Sequence, residues 1–172
     1  MKQMEMLNCV IEYRGGGYDG CFWEYNYCYI TKQGKFEDIF SSGYAGIKDF
    51  KALLERIEDK PNDVTFYSLD SEADIKDFQA DCAIDNVIGV IAWLNEKHPK
   101  HPMYIICSEC GEKVTVASST EFKGVGGLMT NGTNVLCEDC YCNGLCEECG
   151  EYSNEPLKEV DGNMLCEYCA SE

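Results

Sequence analysis

Paired cysteines in the last third of the chain place the strongest constraint on its fold. Nine of the 13 cysteines lie in the last 66 residues, and eight of those nine form four Cys-x-x-Cys pairs. Two thiolates at this spacing on a tight turn can bind the same ion, and two such pairs complete a tetrahedral four-sulfur site. The spacing therefore predicts two metal sites whose ligands are Cys107, Cys110, Cys137, Cys140, Cys146, Cys149, Cys166 and Cys169.

Zinc is the ion that this ligand set favours. Zinc prefers tetrahedral thiolate sites and has no redox chemistry of its own. Iron is the alternative, since four tetrahedral sulfur ligands suit it as well. We expect two zinc ions with a structural role, because every position of each site is cysteine, whereas a catalytic zinc keeps one position open.

The cellular location expected from the sequence is the cytoplasm. Residues 1–8 do not contain a basic segment followed by a long apolar stretch, so we expect no export signal. No apolar run approaches the roughly 18 residues that a membrane span requires. Disulfides are rare in a reducing compartment, which is a second reason to interpret the cysteine pairs as metal ligands.

The C-terminal part of the chain contains an internal repeat. Residues 106–113 match residues 145–152, and residues 131–140 match residues 161–169 with one residue fewer. Each unit has a Cys-x-x-Cys-Gly-Glu turn, a variable middle, an Asn-Gly or Asp-Gly dipeptide and a Leu-Cys-Glu-x-Cys ending. Both dipeptides are typical of type I′ hairpin turns, and glycine after the second cysteine suits a positive φ. The repeat favours sequential pairing, in which the first two pairs bind one ion and the last two pairs bind the other.

With this order of pairs, residues 104–169 resemble tandem zinc ribbons or a LIM-type double zinc module. The glycine after the first pair and the Gly-x-x-Leu-Cys-x-x-Cys ending carry the resemblance. It implies metal binding and is nonspecific for function. The chain departs from the LIM pattern at Cys137, where LIM modules usually have histidine, and in the spacer of residues 141–145, which is longer than the LIM spacer.

A cross-brace is the alternative pairing, in which the first and third pairs share one ion, as in RING, PHD and FYVE fingers. The histidine ligand of the RING and PHD types is missing, and so is the basic lipid-binding motif of FYVE fingers. We therefore favour the sequential arrangement over the cross-brace. Cys142 follows Cys140 by two residues. It is either a spare thiol or an alternate ligand, and we favour the spare thiol.

The N-terminal half predicts an α+β fold. Stretches rich in aromatic and β-branched residues are separated by turn residues, which indicates strands, and apolar residues at helical spacing indicate helices. Ser71 is a candidate cap for a helix that begins at Glu72. The predicted strands are 7–13, 21–30, 35–41 and 64–69, and the remaining predicted helices are 47–60 and 84–96. The last helix is either separate from the helix before it or continuous with it.

These elements predict an antiparallel sheet with two or three helices, followed by a small β-hairpin-rich domain held together by two four-cysteine zinc sites. The α+β domain is expected at residues 1–98 and the double zinc-binding domain at 104–172. Residues 99–103, within a stretch rich in proline and histidine, are the expected linker.

Aromatic residues line one face of the second predicted strand. They could form a platform on which nucleic-acid bases stack, but a sheet face covered by helices is favoured, because the surrounding negative charge repels phosphate. The cysteines outside the tail are predicted to be small buried hydrophobic residues. The aromatic residues are Trp23, Tyr25, Tyr27 and Tyr29, and the cysteines are Cys9, Cys21, Cys28 and Cys82.

The chain is strongly acidic, with 31 acidic and 14 basic side chains and a formal net charge of -17. Residues 104–172 alone carry 13 acidic and 3 basic side chains, a net charge of -10. This balance argues against direct nucleic-acid binding, which depends on many Lys and Arg contacts to phosphate. It is compatible with steering onto a basic protein surface or with a surface that is only well solvated.

We predict that the protein is not an enzyme. The sequence contains no recognisable nucleophile–base set, and its two histidines, His98 and His101, lie at the expected linker, so general-base chemistry has few candidates. The preferred hypothesis is an adaptor or regulator that contacts a protein partner with a basic surface. One alternative is an acidic inhibitor that imitates nucleic acid and blocks a nucleic-acid enzyme, such as an anti-defence protein of a phage or mobile element. The other is an enzyme with a small-molecule pocket in the N-terminal half.

Overall fold

The computed structural model describes residues 6–16, 23–41, 47–116, 129–130 and 134–171. Within them it contains a four-stranded antiparallel sheet, four α-helices and three two-stranded ribbons, so the predicted α+β class is confirmed. The chain divides into two compact units, Met1–Cys82 and Ala83–Glu172. The predicted domain limits at residues 98 and 104 stay a prediction.

The first unit is built on an antiparallel sheet with the strand order β3-β2-β1-β4. Three strands follow one another as the predicted meander, and the fourth pairs with the free edge of the first. Gly34, with φ of 80°, lies in the turn between the second and third strands. The strands are β1 (Cys9–Gly16), β2 (Trp23–Ile30), β3 (Phe36–Ser41) and β4 (Val64–Ser68).

Helix α1 (Phe50–Asp59) covers one face of this sheet. Its Leu53 is fully buried in a cluster with residues that alternate along β1 and β2, including Ile11 and Cys28. The helix begins later than the predicted residue 47 because the Asp49 side chain accepts a hydrogen bond from the backbone N–H of Ala52 at 2.8 Å and caps it.

Helix α2 (Glu72–Asp81) packs against the opposite face, where the ring of Phe78 lies 5.1 Å from that of Tyr67. Ser71 caps it as predicted, and the backbone N–H of Ser71 donates to the Asp74 side chain, which completes a capping box. Cys82 ends the helix in an extended conformation. The following apolar stretch is therefore a separate helix rather than a continuation.

A buried carboxylate joins this second face to the end of α2. Glu12 is fully buried, and one of its oxygens accepts hydrogen bonds from the hydroxyl of Tyr27 at 2.6 Å and from the thiol of Cys82 at 2.9 Å. Arg14 donates to the other oxygen. Burial and the bond to Glu12 raise the pKa of Cys82 to about 12, so this cysteine is a thiol that donates a hydrogen bond.

The predicted burial of the aromatic face is confirmed where it is described. Tyr27 is 1% exposed, and the hydroxyl of buried Tyr29 donates to the side-chain oxygen of Asn8 at 2.8 Å. The side chains of Trp23 and Tyr25 lie outside the described residues. Cysteines 9, 28 and 82 are buried as predicted, and Cys21 also lies outside the described part.

The second unit begins with helix α3 (Ile84–Lys97), which buries six residues. Its Asn95 side chain fixes the next segment, because the amide donates to the carbonyl oxygens of Met103 at 3.1 Å and Val116 at 2.6 Å. The remaining elements are β5 (Tyr104–Ile106), β6 (Lys113–Thr115), β7 (Met129–Thr130), β8 (Val135–Leu136), α4 (Glu138–Asn143), β9 (Lys158–Val160) and β10 (Asn163–Leu165).

The C-terminal part contains three short ribbons, β5–β6, β7–β8 and β9–β10. The turn between β9 and β10 has φ of 52° at Asp161 and 86° at Gly162. Positive φ at both central residues is the signature of the predicted type I′ turn. The other predicted turn, Asn131-Gly132, lies outside the described residues.

Candidate metal centres

The eight paired cysteines form two groups of four, and within each group the sulfur atoms lie within 4.8 Å of one another. The grouping is the sequential one that the repeat favours, and not the cross-brace. The first group is Cys107, Cys110, Cys137 and Cys140, and the second is Cys146, Cys149, Cys166 and Cys169.

The first group brings together a turn and the start of a helix. Cys107 and Cys110 lie in the turn between β5 and β6, which closes where the N–H of Gly111 donates to the carbonyl of Cys107 at 3.0 Å. Cys137 is the N-cap residue of α4, and Cys140 follows one turn later in that helix. A bond of 2.9 Å from the N–H of Ser108 to the carbonyl of Val135 holds the two parts together.

The second group repeats this backbone pattern. The N–H of Gly150 donates to the carbonyl of Cys146 at 2.8 Å, as Gly111 does to Cys107. The bond between the two parts recurs from Glu147 to Met164 at 3.0 Å. The sequence repeat is therefore a structural repeat, and each unit places its four sulfurs by the same hydrogen bonds.

Glycine after the second cysteine is required by backbone conformation. Gly111 has φ of 77° and Gly150 has φ of 70°, as the sequence predicts. An added Cβ would meet no atom within 4 Å at either position, so steric crowding is not the reason for glycine there. The reason is the left-handed backbone conformation, which is unfavourable for residues that carry a side chain.

One cysteine in each group has a lowered pKa. Burial opposes ionisation of Cys107, but backbone N–H groups of Cys110 and Cys137 donate to its sulfur and lower its pKa from 9.0 to about 6. In the second group, backbone N–H groups of Cys149 and Cys166 lower the pKa of Cys146 to about 6 as well. Hydrogen bonds that favour a thiolate favour a metal ligand.

The last cysteine of each group shows the opposite shift. A hydrogen bond shared with Cys137 raises the pKa of Cys140, and burial together with a bond to Cys166 raises that of Cys169. Several thiolates this close together repel one another, so the group keeps protons unless a cation replaces them. The chemistry of each group is therefore that of a site that exchanges protons for a metal ion.

The spacing of the sulfurs fits a tetrahedral metal site. The sulfur atoms of Cys110 and Cys137 are 3.6 Å apart. A Zn–S bond of about 2.3 Å places neighbouring sulfurs of a tetrahedron about 3.8 Å apart, whereas a disulfide brings them to about 2.05 Å. Both groups consist of free cysteines. The residues present thus fit zinc, which these eight side chains would hold with no position left for water.

Cys142 lies outside both groups. It is exposed on α4, within the spacer that leads to the second group. This placement agrees with the expectation of a spare thiol.

A pair of stacked tyrosines joins the two repeat units and was not foreseen from the sequence. The rings of Tyr141 and Tyr152 have centroids 5.3 Å apart and an interplanar angle of 15°. Tyr152 also lies against the backbone of Gly144, where an added Cβ would clash with its ring, and the N–H of Ser153 donates to the Gly144 carbonyl at 2.8 Å. The five-residue spacer is the only sequence signal near this junction.

No family model matches the chain, and no curated protein or solved structure is significantly similar to it. The assignment of the two metal centres therefore rests on the cysteine geometry. Among the described residues, every helix is too short or too polar to traverse a lipid bilayer.

Proposed function

We propose that this protein is a non-enzymatic adaptor or regulator that binds two structural zinc ions and acts through contacts with a protein partner. The observation that carries the proposal is the composition of the two cysteine groups. Each offers four sulfur ligands within 4.8 Å of one another, which fills the coordination shell of a tetrahedral ion. A metal so enclosed holds the chain in shape and has no position for a substrate.

The charge of the C-terminal part supports a basic partner surface. Residues 104–172 have a net charge of -10, and a zinc ion bound by four thiolates adds about -2 at each site. A rigid surface of this sign attracts basic protein surfaces and repels nucleic-acid phosphates.

The same charge also favours a second candidate function. A compact acidic protein can occupy the nucleic-acid groove of an enzyme with carboxylates in the positions of phosphates. In that case the partner is a nucleic-acid enzyme, and binding of this protein competes with binding of DNA or RNA.

The test combines metal analysis with partner capture. Elemental analysis of the purified chain should give about two zinc ions per molecule. Affinity capture from the native host should then return a protein with a basic surface, and capture should weaken as salt is raised because the attraction is electrostatic. A folded, metal-free protein, or capture that is specific for no partner, would refute the proposal. If the captured partner loses DNA or RNA binding when this protein is titrated in, the inhibitor function is the correct one.

A further inference from the structure

A cleft of about 580 Å³ lies at the junction of the two repeat units. Its volume falls in the range of about 300–1,000 Å³ that is usual for ligand sites. One wall is the first cysteine turn at Ser108 and Glu109, and the other is the segment of residues 153–157 with Met164 of β10. Both walls belong to the second compact unit.

The cleft is lined by both apolar and polar side chains. Its apolar part, called the floor below, consists of Leu136, Tyr152, Leu157 and Met164, and Met164 has 41% of its surface exposed. Apolar surface in a cleft is typical of a binding site. The ring of Tyr152 stacks on that of Tyr141, which favours one orientation of this ring in the cleft.

The polar part of the lining, called the rim below, contains two acidic side chains and several hydrogen-bonding groups. Glu109 and Glu155 supply carboxylates, both of them exposed. Amide and hydroxyl side chains such as Asn143 and Ser153 complete the rim. Within the described residues, no Lys, Arg or His side chain lines the cleft.

We propose that this cleft binds an extended basic segment of the protein partner. The inference rests on the proposed function and deepens it by naming the surface and the segment. Lys and Arg side chains match both parts of the cleft, because their aliphatic stems pack on Tyr152 and Met164 while their charged heads reach the rim. The carboxylates of Glu109 and Glu155 then pair with these positive charges.

The structural repeat provides a matched control for the acidic rim. Glu148 occupies in the second unit the position that Glu109 occupies in the first, and it lies outside the cleft. Glu167 is another exposed carboxylate of the same unit outside the cleft. The pair E148Q/E167Q changes net charge by the same amount as E109Q/E155Q.

The experiment follows backbone amide signals of the zinc-loaded full chain by NMR during titration with a capped hexapeptide of alternating lysine and leucine. Shifts should concentrate at the cleft residues in both walls and at Tyr152. E109Q/E155Q should weaken binding about fivefold, the size expected for two exposed ion pairs, and E148Q/E167Q by less than about twofold. Hexalysine should bind more weakly than the alternating peptide because it lacks residues that cover the apolar floor.

Equal losses for the two double variants, equal binding of hexalysine, or shifts confined to residues outside the cleft would each overturn the proposal. So would concentration-dependent shifts of the cleft amides without peptide, which would mean that a second copy of the chain occupies it. None of these results affects the zinc content or the capture of a basic partner. Conversely, failure of partner capture refutes the proposed function even where the hexapeptide binds the cleft.

Discussion

The ionisation of each ligand cysteine depends on its place in the repeat unit. The first cysteine receives backbone N–H groups and has a pKa of about 6 at Cys107 and Cys146. The last, Cys140 or Cys169, lies against other sulfurs and has a raised pKa. Equivalent positions behave alike, because the repeated sequence forms the same backbone hydrogen bonds in both units.

Substitution of a single ligand should remove one ion and leave the other. C107S is expected to lower the zinc content from about two ions per chain to about one, because a three-sulfur remnant binds zinc far more weakly than a complete site. The C142S variant, which lacks a cysteine that belongs to neither group, should retain both ions. Elemental analysis after gel filtration measures the difference. Loss of an ion from C142S would show that this thiol is a ligand after all.

Zinc binding should release protons, and the number released should increase as the pH is lowered. At pH 7, Cys107 and Cys146 are already ionised. Two cysteines with a raised pKa in each group must give up their protons, so at least about two protons leave each site; these are Cys110 and Cys140 in the first group and Cys149 and Cys169 in the second. As the pH falls through about 6, Cys107 and Cys146 become protonated too, and zinc affinity decreases more steeply with each further drop.

Calorimetric titration in two buffers of different ionisation enthalpy measures the proton count directly. The C142S variant serves as the control and should release the same number as the unaltered chain. A proton count that does not change between about pH 7.5 and about pH 5.5 would contradict the assignment of the low pKa values.

The helices of the first unit begin where side chains satisfy free backbone N–H groups. The Asp49 cap shortens α1 relative to its apolar pattern, and the Ser71–Asp74 capping box starts α2 at the predicted residue. At the other end of α2, Cys82 donates to buried Glu12 and ties the helix to β1. Capping and this buried network together set the limits of the second helix.

Removal of the α2 cap should destabilise the first unit. S71A is expected to lower the free energy of unfolding by about 1 kcal/mol, since the N–H of Asp74 loses its acceptor at 3.1 Å. D77A, at an exposed position of the same helix, should change it by less than about 0.5 kcal/mol. Urea unfolding followed by circular dichroism compares the two. Equal effects would mean that the cap contributes nothing specific.

The sequence predicted the helices and strands well, but it did not predict the contacts between residues that are distant in the chain. Periodicity and turn residues located every strand of the sheet and the start of α2, because these depend on neighbours in the chain. The burial of Glu12 was not foreseen, since its donors Tyr27 and Cys82 lie 15 and 70 residues away. The cleft was missed for the same reason, as it combines residues of both repeat units.

Over the whole molecule, the two units draw their stability from different sources. The first has an apolar cluster around Ile11 and Leu53 with a sheet covered on both faces. The C-terminal part of the second has ribbons of two or three residues per strand and a small cluster in which ligand cysteines take part. Ribbons this short are not stable by themselves, so the metal sites must supply most of the folding free energy there.

Chelation should therefore unfold the C-terminal part selectively. With a strong zinc chelator, amides of β5, β6, β9 and β10 should lose hydrogen-exchange protection, whereas those of β1 and β2 should keep it. Readdition of zinc should restore protection, which distinguishes metal loss from irreversible damage. If the chelator changes hydrogen-exchange protection in neither unit, the structure around the cysteine groups does not depend on a bound ion.

The parallel rings of Tyr141 and Tyr152 have a further consequence for how the two sites can be observed. One ring follows a cysteine of the first group directly, and the other follows the turn of the second. Two phenols fixed in an asymmetric stack are an intrinsic optical reporter in the near ultraviolet. Removal of the ion from either site should therefore change the near-ultraviolet circular dichroism of the chain without any added label.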